Sequence, residues 1–161
     1  MSRPRWLTRR EQRAWRAFVD MQHLLVGRVA RDLQRETGLS AGDYEVLVQL
    51  SEAPGGRLRA FELGGLTQWE KSRLSHHITR MVDRGLVKRE SCPTDNRGAF
   101  VVMTAAGRKA IEAAAPRHVE HVRRFFIDSL TPEQLDALAE ISETVMANLD
   151  DDPESCPPCD E

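Results

Sequence analysis

The hydrophobic period of this chain changes from helical to strand-like at Gly85, and that change limits the folds open to it. Up to residue 84, apolar residues recur at helical spacing. Beyond Gly85, the segments Leu86–Ser91 and Ala99–Thr104 are typical of two short strands. The polar residues 92–98, which include a proline and a glycine, predict the loop between them. The chain is therefore predicted to be mainly α with a small β-hairpin.

The longest predicted helix, residues 8–36, begins at the capping box Thr8–Glu11 and ends at Gly38. An amphipathic helix of this length cannot be buried within the core of a small domain, so we expect it to lie at an interface. Further helices are predicted at 41–53 (capped by Ser40), 60–66, 70–84, 105–128 (capped by Thr104, with Pro116 kinking or interrupting it) and 132–149 (capped by Thr131).

The order of elements over residues 41–104 is helix, short helix, longer helix and hairpin, which is the layout of a winged helix-turn-helix. A DNA major groove about 12 Å wide admits one α-helix, which a neighbouring helix braces. A hairpin beside that helix can reach the flanking minor groove or the phosphate backbone. In this layout the helix at 70–84 is the candidate recognition helix.

Residues of the 70–84 helix outside its apolar stripe carry hydroxyls, imidazoles and cations, which suit base edges and phosphates. They are Lys71, Ser72, Arg73, Ser75, His76, His77, Thr79 and Arg80. The alternative is an ordinary solvated face, but the hairpin favours DNA. Its loop places Arg97 beside Gly98, where an arginine can enter a narrow minor groove, and Asp95 can hold that arginine in position.

The stretch from Leu74 through Ile78–Val87, Arg89, Asp95–Gly98 and Met103–Gly107 resembles the signature of the MarR family of transcriptional regulators. Met103 departs from it, since the family usually has leucine there. The resemblance implies a homodimer on pseudo-palindromic double-stranded DNA, with the half-sites about one turn, or roughly 34 Å, apart. The implied major-groove contacts are Ser72, Arg73, Ser75, His76 and Arg80, with Arg97 in the minor groove positioned by Asp95.

The resemblance also implies helical dimerisation regions and a small-molecule effector, often a phenolic or other aromatic acid, whose binding releases the DNA from a repressor. Candidate pocket residues are Trp15, His23, Tyr44 and Trp69. Core or interface packing is the alternative interpretation of each. The predicted organisation is a basic arm at 1–7, a dimerisation helix at 8–40, a DNA-binding lobe at 41–104, dimerisation helices at 105–149 and a disordered acidic tail at 150–161.

The charge distribution agrees with this organisation better than the net charge of −2 does. Residues 1–16 carry six arginines against one glutamate, and residues 57–97 carry nine basic against five acidic side chains. The tail carries six acidic side chains and no basic one. The average therefore conceals basic segments of the kind that bind DNA.

Several classes of protein are excluded by what the sequence lacks. With no run of 18 apolar residues and no apolar stretch behind the N-terminus, we expect a cytoplasmic protein without a membrane partner. No catalytic triad, phosphate loop or dinucleotide motif is present, so we expect neither an enzyme nor a cofactor. No metal site is expected either, since His118 and His121 are predicted to lie on a solvated face.

Two alternatives stay open at this stage. One keeps the fold but makes the protein a thiol-redox or metal-responsive regulator through Cys92, Cys156 or Cys159. The other is a dimeric protein-interaction module that does not read DNA. Such a module would be expected to lose its basic residues, and Arg73, Arg80 and Arg97 argue against it.

Overall fold

The computed structural model describes residues 4–92 and 95–150, except for the side chains of residues 92, 95–98 and 150. The chain divides after His121 into two compact units. The helices are α1 (Arg9–Thr37), α2 (Ala41–Glu52), α3 (Ala60–Thr67), α4 (Lys71–Asp83), α5 (Ala105–Phe125) and α6 (Pro132–Asp150), and the strands are β1 (Arg57–Arg59), β2 (Val87–Cys92) and β3 (Asp95–Met103). The predicted mainly α winged helix-turn-helix is confirmed.

The predicted helix starts and stops are largely confirmed because they depend on local hydrogen bonds. Thr8 and Ser40 each form a capping box, with Glu11 and Asp43 respectively. Gly38 ends α1 in the left-handed conformation, at φ 75°. The last helix starts as predicted, since the Gln134 amide donates to the Thr131 hydroxyl.

The connection between α4 and β2 is a Schellman turn at Gly85, whose φ is 70°. The Gly85 amide donates to the Val82 carbonyl at 2.8 Å, and the Leu86 amide donates to the Met81 carbonyl at 3.0 Å. The Thr104 hydroxyl donates to the Gly85 carbonyl at 2.6 Å from the far end of β3. These bonds fix the direction in which the hairpin, hereafter the wing (β2 and β3), leaves α4.

The sheet is antiparallel with strand order β1-β3-β2, so β3 lies in the middle. Leu58 of β1 lies opposite Val101 of β3, a pairing that no sequence pattern indicated. The predicted loop at 92–98 is too long, because β3 begins at Asp95 and pairs there with Cys92 across a register shift. The extra pairing satisfies backbone groups that the predicted loop would have left to water.

The core of the first unit is formed by α1 to α5 and the sheet. Val46, Leu47 and Leu50 of α2 are fully buried, whereas Tyr44 and Val48 are only partly buried. The other buried members are Leu33, Leu39, Leu63, Leu74, Ile78, Met81, Leu86, Val87, Val101, Ile111 and Ala114. Because α2 and α4 pack on one core, α4 has a fixed buried face.

The end of α5 differs from the prediction. The helix stops at Phe125 rather than residue 128, and a 3-10 turn over Ile127–Ser129 follows in the second unit. The predicted interruption at Pro116 is absent, because the helix continues through it. The carbonyl that loses its partner there belongs to the exposed Glu112, so water can satisfy it. Within residues 4–92 and 95–150, no helix has the length and apolarity needed to cross a membrane.

Candidate nucleic-acid interface

Helix α4 separates its side chains into a buried face and an exposed polar face. Leu74, Ile78 and Met81 are at most 4% exposed and anchor the helix to the core. The polar face of α4 consists of Lys71, Ser72, Arg73, Ser75, His76, Thr79 and Arg80, all of them exposed. Of the eight polar residues predicted to lie outside the apolar stripe of this helix, these seven face solvent, and together they present cations and hydroxyls.

His77 is the exception among the polar residues of α4, and its placement on the exposed face was wrong. Its ring is 8% exposed and meets Trp69 edge-on, with ring centres 5.0 Å apart. Its Nε2 lies 3.1 Å from Oδ1 of Asp43 on α2. The helical repeat that buries Leu74 and Ile78 also brings position 77 inward, and a buried carboxylate makes an imidazole tolerable there.

The two arginines of the polar face each contact one of these two rings, Arg73 that of Trp69 and Arg80 that of His77. The Arg73 guanidinium lies 4.3 Å from the centre of the Trp69 ring, in a cation–π arrangement. The Arg80 Nη2 lies 2.9 Å from Nδ1 of His77. Each guanidinium is therefore oriented by a ring of the first unit while its side chain stays exposed.

Asp43 of α2 contacts both His77 of α4 and Arg84, which follows α4. Its side chain is 2% exposed and accepts from Arg84 Nη1 at 2.6 Å and from the Ser40 amide at 2.9 Å. Burial acts to raise the pKa of Asp43, but the hydrogen bonds from Arg84 and Ser40 outweigh it and hold the pKa below its usual value. Asp43 is therefore an anion at neutral pH, in contact with both Arg84 and His77.

The wing is attached to α4 by Arg89, which the sequence analysis did not select as a site residue. Its Nη2 donates to the Ser75 carbonyl at 3.1 Å and to the Thr79 hydroxyl at 3.0 Å. This arginine fixes β2 against the polar face of α4. Arg89 is part of the stretch that resembles the MarR signature, but its contact with Thr79 depends on how the hairpin folds back against α4. The side chains of the predicted wing residues Asp95 and Arg97 lie outside the described residues.

A groove of about 570 Å³ lies between α3, α4 and the sheet. Among its lining residues are Arg59, Phe61, Trp69, Lys71, Ser75 and Arg89. Three of these are cations, and Lys71 and Ser75 belong to the polar face of α4. The groove beside α4 is therefore concave and lined mainly by apolar surface, with Arg59, Lys71 and Arg89 as the cations of its lining.

The four candidate effector residues do not share one environment. Trp15 and His23 are exposed on α1, and Trp15 lies near Phe18. Tyr44 is half-buried and stacks on His118 of α5, with ring centres 4.5 Å apart. Trp69 precedes α4, is half-buried between Arg73 and His77, and also lines the groove beside α4.

The predicted solvated face at His118 and His121 was also wrong. His121 is 7% exposed, and its Nε2 lies 3.3 Å from Oε1 of Glu36 on α1. Burial lowers the pKa of His118, and the neighbouring His121 lowers it further. Within residues 4–92 and 95–150, no group of three or more histidine, cysteine, aspartate or glutamate side chains could hold a metal ion.

Comparison with known proteins gives consistent matches. The sequence model of a family described as "MarR family" matches residues 29–98. The crystal structure of AbsC, a MarR family transcriptional regulator from Streptomyces coelicolor, is 45% identical; the match covers 92% of this chain and 100% of AbsC, with a TM-score of 0.86. Sco3205, a MarR family regulator of the same organism solved in complex with DNA, is 41% identical over 96% of each chain, with a TM-score of 0.88. The transcriptional regulator HosA of Escherichia coli is 29% identical over 131 residues, covering 81% of this chain and 95% of HosA.

Proposed function

The chain belongs to the MarR family and is a DNA-binding transcriptional regulator, not an enzyme, and we propose that it acts as a dimeric repressor on a pseudo-palindromic site. The observation that carries this proposal is the division of α4 into an anchored buried face and an exposed face with three cations. Because it acts on DNA, we expect it to work in the cytoplasm. The relatives are regulators, which favours DNA reading over a protein-interaction module.

Every residue of the polar face except Thr79, whose hydroxyl accepts from Arg89, receives a role in DNA binding in this proposal. Ser72, Ser75 and His76 contact base edges in the major groove, because their side chains are short and exposed. Lys71 and Arg73 bind phosphates and Arg80 binds a guanine, and the two arginines are already oriented by Trp69 and His77. Arg97, held by Asp95, enters the minor groove from the wing.

A salt-dependent binding titration tests this proposal. We expect nanomolar affinity for the region upstream of the protein's own gene, with a steep loss of affinity as salt rises. Arg73→Ala and Arg97→Ala should each weaken binding by about 1–3 kcal/mol and reduce the salt slope by about one unit. Arg117→Ala removes an exposed arginine of α5 that pairs with Glu120, and should leave both quantities unchanged. Weak binding that ignores DNA sequence and all three substitutions would contradict the proposal.

The proposed dimer rests on apolar side chains that each unit leaves in solvent. Trp15, Leu24 and Val26 of α1 are 58–74% exposed, Val119 of α5 is 54% exposed, and Ile141 and Val145 of α6 are 61% and 51% exposed. Exposed apolar clusters of this kind usually mark an interface. We therefore propose α1, α5 and α6 as the dimerisation helices.

Sedimentation equilibrium tests the dimer. The wild-type chain of 18.2 kDa should sediment at twice that mass. Leu24→Arg and Val145→Arg should each weaken dimerisation by about 2 kcal/mol or more, because each buries an unpaired charge. Glu52→Arg introduces the same side chain at an exposed position of α2, and should leave the dimer intact. A monomeric wild-type protein would contradict the arrangement.

The effector is the least constrained part of the proposal. Tyr44 is the best supported of the four candidates, because it stacks on His118 where α2 meets α5 and joins the DNA-binding lobe to a proposed dimerisation helix. An aromatic acid bound there would favour a half-site spacing that no longer matches the groove repeat. Release of DNA by salicylate, reduced by Tyr44→Ala, would support this site. The thiol alternative depends on the Cys92 side chain, Cys156 and Cys159, which lie outside the described residues.

A further inference from the structure

We propose that His77 is a positioning residue for DNA reading, whose neutral imidazole holds the Arg80 guanidinium while Asp43 holds the imidazole. This inference rests on the proposed function, in which Arg80 contacts DNA. His77 itself is 8% exposed, so it acts through Arg80 rather than by touching a base. The polar face of α4 would then depend on a side chain beneath it.

The arrangement requires a single protonation state of the imidazole. Arginine is only a donor, so Nδ1 of His77, which lies 2.9 Å from Arg80 Nη2, has to be the acceptor. The ring proton is therefore on Nε2, which lies 3.1 Å from the Asp43 carboxylate in an electrostatic contact whose angle is not that of a hydrogen bond. Asp43 is fixed in turn by Arg84 at 2.6 Å and by the Ser40 amide at 2.9 Å.

Protonation of His77 would break the contact with Arg80. The second ring proton would be on Nδ1, so two N–H donors and two positive charges would face each other at the position of a 2.9 Å hydrogen bond. The charged groups around the ring are Asp43 of α2 and Arg73 and Arg80 of α4 itself. Burial lowers the pKa of His77; Asp43 opposes that effect, while Arg80 and Arg73 add to it.

Fixing one donor of the exposed Arg80 side chain limits the directions that its other N–H groups can take. A guanidinium ordered before binding loses less conformational entropy when it meets DNA. His77 also meets Trp69, over which Arg73 lies at 4.3 Å. One buried ring therefore supports both arginines of the polar face.

The inference predicts an unusual response of DNA binding to acid. Acidification normally tightens the binding of a protein to DNA, because each histidine that gains a proton adds a positive charge. Here the protonation of His77 releases Arg80, so affinity should fall as the pH drops through the lowered pKa of His77. The two effects have opposite signs, which makes the direction of the change diagnostic.

The test is a DNA-binding titration of the full chain on the upstream fragment between about pH 7.5 and about pH 5. Wild type should weaken about fivefold or more in acid. His77→Gln keeps an acceptor and a donor without titrating, so it should bind within about threefold of wild type near neutrality and lose the acid weakening. His76→Gln, at the exposed neighbouring position, should keep the acid weakening.

A double-mutant cycle separates positioning from a general structural role. Arg80→Ala should weaken binding about tenfold or more, and His77→Ala should weaken wild type by a similar factor but hardly affect the Arg80→Ala background. Equal effects of His77→Ala in both backgrounds, or tighter wild-type binding in acid, would overturn the inference while leaving DNA reading intact. If Arg80→Ala has no effect, the proposed role of Arg80 fails instead.

Discussion

Asp43→Asn is expected to lower the free energy of unfolding by about 2–4 kcal/mol. The carboxylate is 2% exposed and accepts hydrogen bonds from Arg84 and from the backbone amide of Ser40, the residue that caps α2. The amide replacement removes the negative charge that Arg84 and His77 face. Because Arg84 is 45% exposed, water recovers part of the loss, which keeps the expected value below that for a fully buried pair. Urea unfolding at neutral pH measures the change.

The same substitution should change the dependence of stability on pH. The pKa of Asp43 is lowered in the folded state, so its contribution is fully present above the unfolded pKa and is lost as the pH falls through the folded value. Wild type should therefore lose this stability in acid, and Asp43→Asn should lose correspondingly less. Asp83→Asn makes the same change at an exposed position of α4, and should cost less than about 0.5 kcal/mol. Equal effects of the two substitutions would contradict the network around Asp43.

Gly107→Ala is expected to destabilise the protein by about 3 kcal/mol. A methyl group at this position would overlap the carbonyl oxygen of Leu86 and come within 3.1 Å of Met103 Cγ. The Leu86 carbonyl cannot withdraw easily, because it accepts from the Thr104 amide at 3.1 Å and from its hydroxyl at 3.0 Å. Relief would have to separate the start of α5 from the turn after α4. Thermal or urea unfolding measures the loss.

Gly65→Ala is the matched control for that substitution. Gly65 lies in α3, and a methyl group there meets nothing within 4 Å. Alanine favours a helix over glycine, so this variant should be unchanged or more stable by up to about 1 kcal/mol. If both glycine variants behaved alike, the close packing of α5 on the turn would be wrong.

The features that could be predicted from sequence are those fixed by neighbouring residues. The capping boxes at Thr8 and Ser40 and the left-handed glycines at 38 and 85 each depend on hydrogen bonds within a few residues. The exposed side of α4 followed from helical spacing, since Leu74, Ile78 and Met81 set the buried side. Local chemistry was therefore enough to predict α4 and the start of the wing.

The features that could not be predicted depend on partners distant in sequence. His77 lies within the helical repeat of the buried stripe, but only Asp43 on another helix shows why an imidazole belongs there. His121 is likewise buried against Glu36 of α1. Strand β1 has three residues, too few for an alternating pattern, and exists because β3 offers it an edge. Arg89 contacts Ser75 of α4 only because the wing folds back against that helix, so its place in the site could not be predicted from neighbouring residues.

The central claim, that the polar face of α4 reads base edges, is tested most directly by pairing protein and base substitutions. Wild type, Arg80→Ala and Arg117→Ala should be titrated against the operator and against operators changed symmetrically at one base pair per half-site. We predict that wild type and Arg117→Ala lose about 1–3 kcal/mol at each base pair contacted, whereas Arg80→Ala loses discrimination at one position and keeps it elsewhere. Discrimination that stays the same at every position in Arg80→Ala, and equally in Ser72→Ala and His76→Ala, would contradict the claim.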